Sequence, residues 1–153
     1  MRDFERVDLP AAAIEFEFGG KKRHASSRLL IGATTDIDGS RLRILNTHLQ
    51  AFFMIGALSD ACPEQRNLVE AELRKQSGPA ILAGDMNAAP QESLVAQFEA
   101  AGFSTVQKTE PTWKRRPYVV DHICRNAALR LVSHQILPTP TSDHDAIVAD
   151  FEF

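Results

Sequence analysis

With 153 residues, 44% of them hydrophobic and 24% charged, the chain has enough material for one domain with its own core and too little for two. Its formal net charge of -3 argues against a general affinity for polyanions, which draws on an excess of Lys and Arg. No run approaches the ~18 apolar residues of a membrane span, the start Met1-Arg2-Asp3-Phe4-Glu5 has no signal-peptide core, and Cys62 and Cys124 read as free thiols of a reducing cytoplasm.

In chain order, residues 4–9 and 13–18 alternate or run apolar, and both suit strands. Residues 19–24, Gly-Gly-Lys-Lys-Arg-His, read as a polar turn. Residues 29–35 are the next strand; Asp38-Gly39 signals a hairpin, and residues 41–45 return from it. A less regular stretch covers residues 51–62. Pro63 suits the first position of a helix whose apolar stripe is Leu68, Val69 and Leu73, with Glu70, Glu72, Arg74 and Lys75 mostly outward. Ser77-Gly78-Pro79 ends it. Residues 80–83 form a short, wholly apolar strand, which suggests burial on both faces. A second helix spans about 91–101, with Leu94, Val95 and Phe98 inward and Gly102 after its end. Residues 113–117 read as a loop, and 119–124, 129–137 and 146–153 as three more strands. Many strands with two inserted helices predict a layered α/β domain with a mixed sheet.

Three strand ends deliver polar clusters to loops. Asn46-Thr47-His48-Leu49 follows one apolar run, Gly84-Asp85-Met86-Asn87 a second, and Ser142-Asp143-His144 precedes the last strand. Asp85, Asn87 and Asp143 offer the oxygen ligands that Mg²⁺ or Mn²⁺ prefer. Asp85 and Asn87 lie two apart, so in extended backbone they point to one side. His48 and His144 suit acid, base or charge-stabilising roles around a phosphate. Asp121 lies in the apolar run of Val120-Asp121-His122-Ile123, where an unpaired carboxylate is costly, and a histidine partner is the expected remedy. The set suits attack of water on a phosphoester.

Each of these residues also has a plainer reading. Asp85 and Asn87 are good turn and helix-cap residues, and Asp121 could be a buried structural acid. His122 reads as structural or rim, and His24 and His134 carry no functional reading. Lys114-Arg115-Arg116 reads as a solvated loop that could steer anions, and Trp113 as core or rim. Phe52 and Phe53 fit a core, a substrate-facing lip or an interface.

In this order, NTHL, GDMN, VDHI and SDHDAIV resemble the second half of the endonuclease/exonuclease/phosphatase superfamily. That group includes deoxyribonuclease-I-like nucleases, abasic-site endonucleases, sphingomyelinases and inositol phosphatases. The resemblance covers roughly residues 29–153. It implies that His48 polarises the scissile phosphate and that Asp85 orients or deprotonates the attacking water. Asn87 would bind phosphate or a metal-bound water, Asp121 would hold His144 against the phosphate, and Asp143 would be a metal ligand. Asn46 matches the motif but more naturally supports its loop.

The resemblance also marks what is missing. Family members begin with a strand carrying an Asn and continue to a Gln-Glu motif whose Glu is the principal metal ligand. Nothing before Leu29 resembles either; Glu15 and Glu17 sit in a short amphipathic run. The expected fold is therefore a single truncated α/β domain over residues 1–153. Its mixed β-sheet would carry helices on one face, about half of a four-layer α/β/β/α sandwich. The expected cofactor is Mg²⁺ or Mn²⁺, held weakly without that Glu. The expected partners are a phosphoester substrate and a cover for the bare sheet face, either a second copy of this chain or a separate N-terminal half. The rival reading is a catalytically inactive remnant that dimerises or binds a partner.

Overall fold

The computed structural model describes residues Met1–Phe153. Ten strands and two helices follow one another as β1 (Arg2–Leu9), β2 (Glu15–Phe18), β3 (Lys21–His24), β4 (Arg28–Ile37), β5 (Ser40–Thr47), α1 (Glu64–Arg74), β6 (Ala80–Asp85), α2 (Glu92–Ala100), β7 (Phe103–Thr105), β8 (Asp121–Asn126), β9 (Arg130–Leu137) and β10 (Ala146–Glu152). A single 3₁₀ turn, Phe52–Ile55, lies between β5 and α1. Six strands form one mixed sheet in the order β1-β4-β5-β6-β8-β7. β9 pairs only with β10, and β2 only with β3. The expected α/β class and mixed sheet are therefore present.

The parallel pairing of β5 with β6 explains the helix between them. Parallel neighbours need a crossover, and α1 supplies it. It brings the C-terminal ends of β5 and β6 side by side, which places His48 beside Asp85. Alternation then sorts each strand. Val7, Leu9, Leu30, Leu45, Ala80, Leu82 and Cys124 share one face of the sheet through the registers of β1, β4, β5, β6 and β8. Val69 and Leu73 of α1 and Leu94 and Phe98 of α2 pack on that face and close the main core. Arg66 links the helices, donating from Nε to Gln97 Oε1 at 3.0 Å and from Nη1 to Ser93 Oγ at 3.2 Å.

The other face is only partly covered. β10 lies over β8 at one end. Toward the β1 edge, Phe4, Leu29, Ile31 and Ile37 are exposed, Phe4 at 76%. A cleft of about 470 Å³ lined by Met1, Phe4, Ile31, Ala33 and Ile44 runs over this region. The half-sandwich expectation agrees with this arrangement.

Several local expectations are corrected. The polar turn is confined to Gly19 and Gly20; Lys21–His24 is a strand paired with β2, and Lys22 lies opposite Glu17. The short strand β7 gave no sequence signal, and it pairs with β8 beyond Gly102. The strand expected at 119–124 starts two residues later, at Asp121, although Val120 O still accepts from Met86 N in the same register. In α1, Leu68 is exposed and Glu72 buried, the reverse of the expected stripe. The buried side of that helix is Gln65, Arg66, Val69, Glu72 and Leu73, and Lys75 Nζ lies 2.5 Å from Glu72 Oε1. In β6 only Ala80 and Leu82 are fully buried; Ile81 and Ala83 face the partly open side.

Both cysteines are free thiols, and burial pushes the Cys124 thiol up to about 12. His122 is fully buried on the helix side of β8, its Nδ1 3.0 Å from Thr105 Oγ1, as its structural reading expects. No helix is long and apolar enough to cross a membrane.

Candidate active site

The site forms on the open side of the sheet, where β5 and β6 end and β8 begins. Gly84 makes the close approach possible. A Cβ there would lie 1.9 Å from the Thr47 carbonyl oxygen, and its φ of +145° belongs to glycine. The next residue, Asp85, thereby comes level with His48. Leu49 N donates to Asp85 O at 3.0 Å and fixes the two loops together.

Asp85 and Asp121 are register partners across β6 and β8. Burial pushes the Asp85 carboxyl up, and the neighbouring Asp121 charge pushes it further. The Asn87 backbone N–H, 2.9 Å from Asp85 Oδ1, and the His48 and His144 rings oppose that shift without cancelling it. His48 Nε2 stands 3.7 Å from Asp85 Oδ2, and its Nδ1 lies 3.1 Å from Leu49 O. Asn87 is buried at φ +47°, a conformation Asn tolerates better than most residues, and its Nδ2 donates to Leu49 O at 3.1 Å.

His144 comes from the loop before β10. Its Nδ1 lies 2.7 Å from Asp121 Oδ2, which leaves Nε2 as the free nitrogen of the ring. Burial lowers the His144 pKa. The Asp121 hydrogen bond and the charges of Asp121, Asp85 and Asp143 outweigh it, so the ring stays protonated to higher pH than a free imidazole. The loop itself is strapped down. Asp145 N donates to Thr112 O, Lys114 N donates to Asp143 O, and Lys114 Nζ pairs with Asp145.

One group in this set was not found from the sequence. Thr112 is 1% exposed, and its Oγ1 donates to Asp121 Oδ2 at 2.6 Å, the same oxygen that meets His144. A lone threonine in a loop offers no signal of its own; the fold makes it a brace. Thr112→Val keeps the shape and removes the donor. If the site hydrolyses a phosphoester, the substitution should lower turnover roughly tenfold with KM nearly unchanged, and Thr112→Ser should restore the rate. An unaltered rate in the valine variant would show that the brace is merely structural.

Five of the sequence-derived residues thus converge: His48, Asp85, Asn87, Asp121 and His144. Asp85, Asp121 and His144 form a group whose ligand atoms all lie within 4.8 Å of one another and could hold a metal ion. Asp143 stands outside it. Its Oδ2 accepts from Trp113 Nε1 at 3.3 Å and lies 3.1 Å from Arg115 Nε. The Trp113 hydrogen bond, and after it the Arg115 charge, holds its carboxyl below the usual range. Asn46, read as supporting its loop, instead ties two strands, donating from β5 to Ala83 O of β6 at 2.9 Å. Trp113 lies on the rim with Phe53 and Tyr118, the Phe53–Trp113 ring centroids 5.6 Å apart, so Phe53 belongs to a lip beside the site.

A family model described as the Endonuclease/Exonuclease/phosphatase family matches residues 58–144, more than half of the chain. The chain belongs to the endonuclease/exonuclease/phosphatase family. The matched segment contains Asp85, Asn87, Asp121, Asp143 and His144, while His48 precedes it. Solved structures share the fold of this member. An endonuclease/exonuclease/phosphatase from Bacteroides vulgatus is 18% identical with a TM-score of 0.71, covering 98% of this chain and 64% of its own. The mannosyl-6-phosphatase Bt3783 of Bacteroides thetaiotaomicron is 14% identical with a TM-score of 0.66, covering 97% of this chain and 67% of its own. TDP2 of D. rerio, solved with a single-strand DNA product, is 20% identical with a TM-score of 0.67, covering 99% of this chain and 68% of its own. This family member therefore spans about two thirds of the length of these structures. No curated protein matches its sequence.

Proposed function

We propose that this family member is a metal-dependent phosphoesterase that hydrolyses a phosphodiester or phosphomonoester. The observation that carries the reading is the convergence of Asp85, Asp121 and His144 within 4.8 Å of one another. A desolvated carboxylate faces a second carboxylate there, with the His48 and His144 rings beside them. Such a pair of hard oxygen donors is short of one cation, and it fits Mg²⁺ or Mn²⁺. Asp85 and Asp121 would hold the ion, and the family resemblance would have Asn87, whose Nδ2 here donates to Leu49 O, meet a water or phosphate oxygen beside it. When bound, the metal would neutralise charge on the phosphoryl oxygens.

The chain's own groups divide the remaining work. Asp85 would orient the attacking water and take its proton. The water oxygen forms the new bond to phosphorus as the bond to the leaving oxygen breaks. His48 contacts the phosphate next to Asp85. His144, held through its Nδ1 by Asp121, would turn its other ring nitrogen to the negative charge that develops.

Hydrolysis of bis-p-nitrophenyl phosphate with Mg²⁺ or Mn²⁺, against the same protein in EDTA, tests the reading. The chelated protein should lose at least about nine-tenths of the rate. Equal rates in the two conditions would sink it.

The uncovered sheet face supports a second reading. Phe4, Leu29, Ile31 and Ile37 would suit an inactive remnant that dimerises or binds a partner through this face. The same face would need such a cover for an active site to work as a whole. A monodisperse monomer in sedimentation would count against a second copy in either role.

A further inference from the structure

The β2–β3 hairpin stands apart from the six-strand sheet. Its strands pair only with each other, and all of its strand residues are exposed except Phe16, which is half-buried. Register sorts the side chains. Alternate residues along a strand share a face, and so do residues directly opposite each other in an antiparallel pair. Glu15, Glu17, Lys22 and His24 therefore lie on one face, and Phe16, Phe18, Lys21 and Arg23 on the other.

The two faces differ in chemistry. On the first, Lys22 Nζ lies 3.7 Å from Glu15 Oε2 and His24 Nδ1 lies 4.0 Å from Glu15 Oε1. The second holds both phenylalanines and no carboxylate, and its Lys21 and Arg23 enter no ion pair. The base of the hairpin is anchored. Ala25 N donates to Ile14 O at 3.2 Å, and Ala12, Ile14 and Ala25 pack with Phe52, Ile55 and Ala57 from the segment after β5. That segment exposes two large aliphatic side chains, Met54 at 61% and Leu58 at 63%, and Phe18 at the far end of β2 is 70% exposed. Single exposed apolar residues are ordinary. Here they accompany unpaired cations, with the acids of the hairpin turned to its other face. That mixture suits the boundary between anionic headgroups and acyl chains. Met54 and Leu58 offer no ring on which a base could stack, so the aliphatic share favours lipid over single-stranded nucleic acid.

We propose that the face of the hairpin bearing Phe16, Phe18, Lys21 and Arg23 docks on an anionic lipid surface. Phe18 enters the headgroup boundary, and Lys21 and Arg23 meet the lipid phosphates. With few anchoring groups and a net charge of -3 on the chain, the attachment is reversible and weakens as salt is added. It concentrates the chain at a membrane without any segment crossing it.

Co-sedimentation with vesicles of phosphatidylserine and phosphatidylcholine, beside vesicles of phosphatidylcholine alone, tests the surface. The wild-type chain should partition at least about fivefold more strongly into the anionic vesicles. Phe18→Ser should weaken that partition about tenfold. Lys21→Gln combined with Arg23→Gln should weaken it about tenfold or more, while Lys22→Gln on the opposite face should stay within about twofold. The charge pair leaves every apolar contact in place, so it decides the matter if Phe18→Ser disturbs the hairpin. No partition, equal partition into both vesicle types, or a loss with Lys22→Gln as large as with the charge pair overturns the proposal. Capture of single-stranded oligothymidylate through Lys21 and Arg23 with no vesicle binding overturns it in favour of a nucleic-acid contact. The readout is binding and not turnover, so the result stands apart from the phosphoesterase reading.

Discussion

Gly84→Ala is expected to destabilise the chain by about 4 kcal/mol, a large part of the ~5–15 kcal/mol that holds a typical domain together. Two penalties add. The φ of +145° is open to glycine and strained for alanine, at ~1–3 kcal/mol. The new Cβ would also meet the Thr47 carbonyl oxygen at 1.9 Å, and that carbonyl is backbone, so no side chain can swing away. Thr47 cannot retreat easily, because its Oγ1 donates to Leu29 O at 2.9 Å and β5 is paired on both sides. Urea unfolding of the variant beside Gly78→Ala measures the effect. Gly78 has open space around it, and its alanine variant should change stability by less than about 0.5 kcal/mol. A loss under about 1 kcal/mol for Gly84→Ala would mean that β5 and β6 separate readily, and that the closeness of His48 to Asp85 is not enforced.

Asp121→Asn and His144→Ala should each lower metal-dependent turnover by ~10²–10⁴. The double variant should be little worse than the weaker single one, since the two act as a unit. Additive losses would separate their roles and remove the argument that Asp121 works through His144. Asp121→Asn also has a spectroscopic consequence in the metal-free protein. With the carboxylate gone, burial acts on His144 with less opposition, and its NMR titration should move to lower pH. The sign for stability follows. The folded pKa of His144 lies above the unfolded value, so the pair stabilises the fold fully below about pH 6.5. That contribution fades as pH rises through the folded pKa. Asp121→Asn should flatten this part of the stability profile.

The strand ends were legible because each cluster follows an apolar run and alternation fixes where the run stops. His48, Asp85 and Asn87 could therefore be placed at a common rim before any contact was known, and Asp121 could be matched to a histidine because a lone carboxylate in an apolar strand demands one. Which histidine it would be came from the resemblance, and the 2.7 Å contact to His144 agrees with it. Thr112 was not legible. It gains its meaning only from the contact that the fold makes between its hydroxyl and Asp121. The exposed Leu68 and buried Glu72 failed for a related reason. The inward side of α1 is set by where α2 and the sheet lie, and helix periodicity alone does not report that. β3 was hidden because a run of Lys, Lys, Arg and His has no apolar alternation, and its pairing with the charged strand β2 is what makes it a strand.

His48, Asp85, Asp121 and His144 come from four separate segments, and the last of them sits in the loop that precedes the closing strand. Such a constellation has no local precursor. The helices and the β4–β5 hairpin join residues close in sequence, whereas the candidate site closes loops that span most of the chain, and loop closure of that kind is slow and comes late. During refolding or synthesis, the protein would therefore regain helical signal before it could capture a ligand. Intermediates in that interval would be compact yet chemically silent.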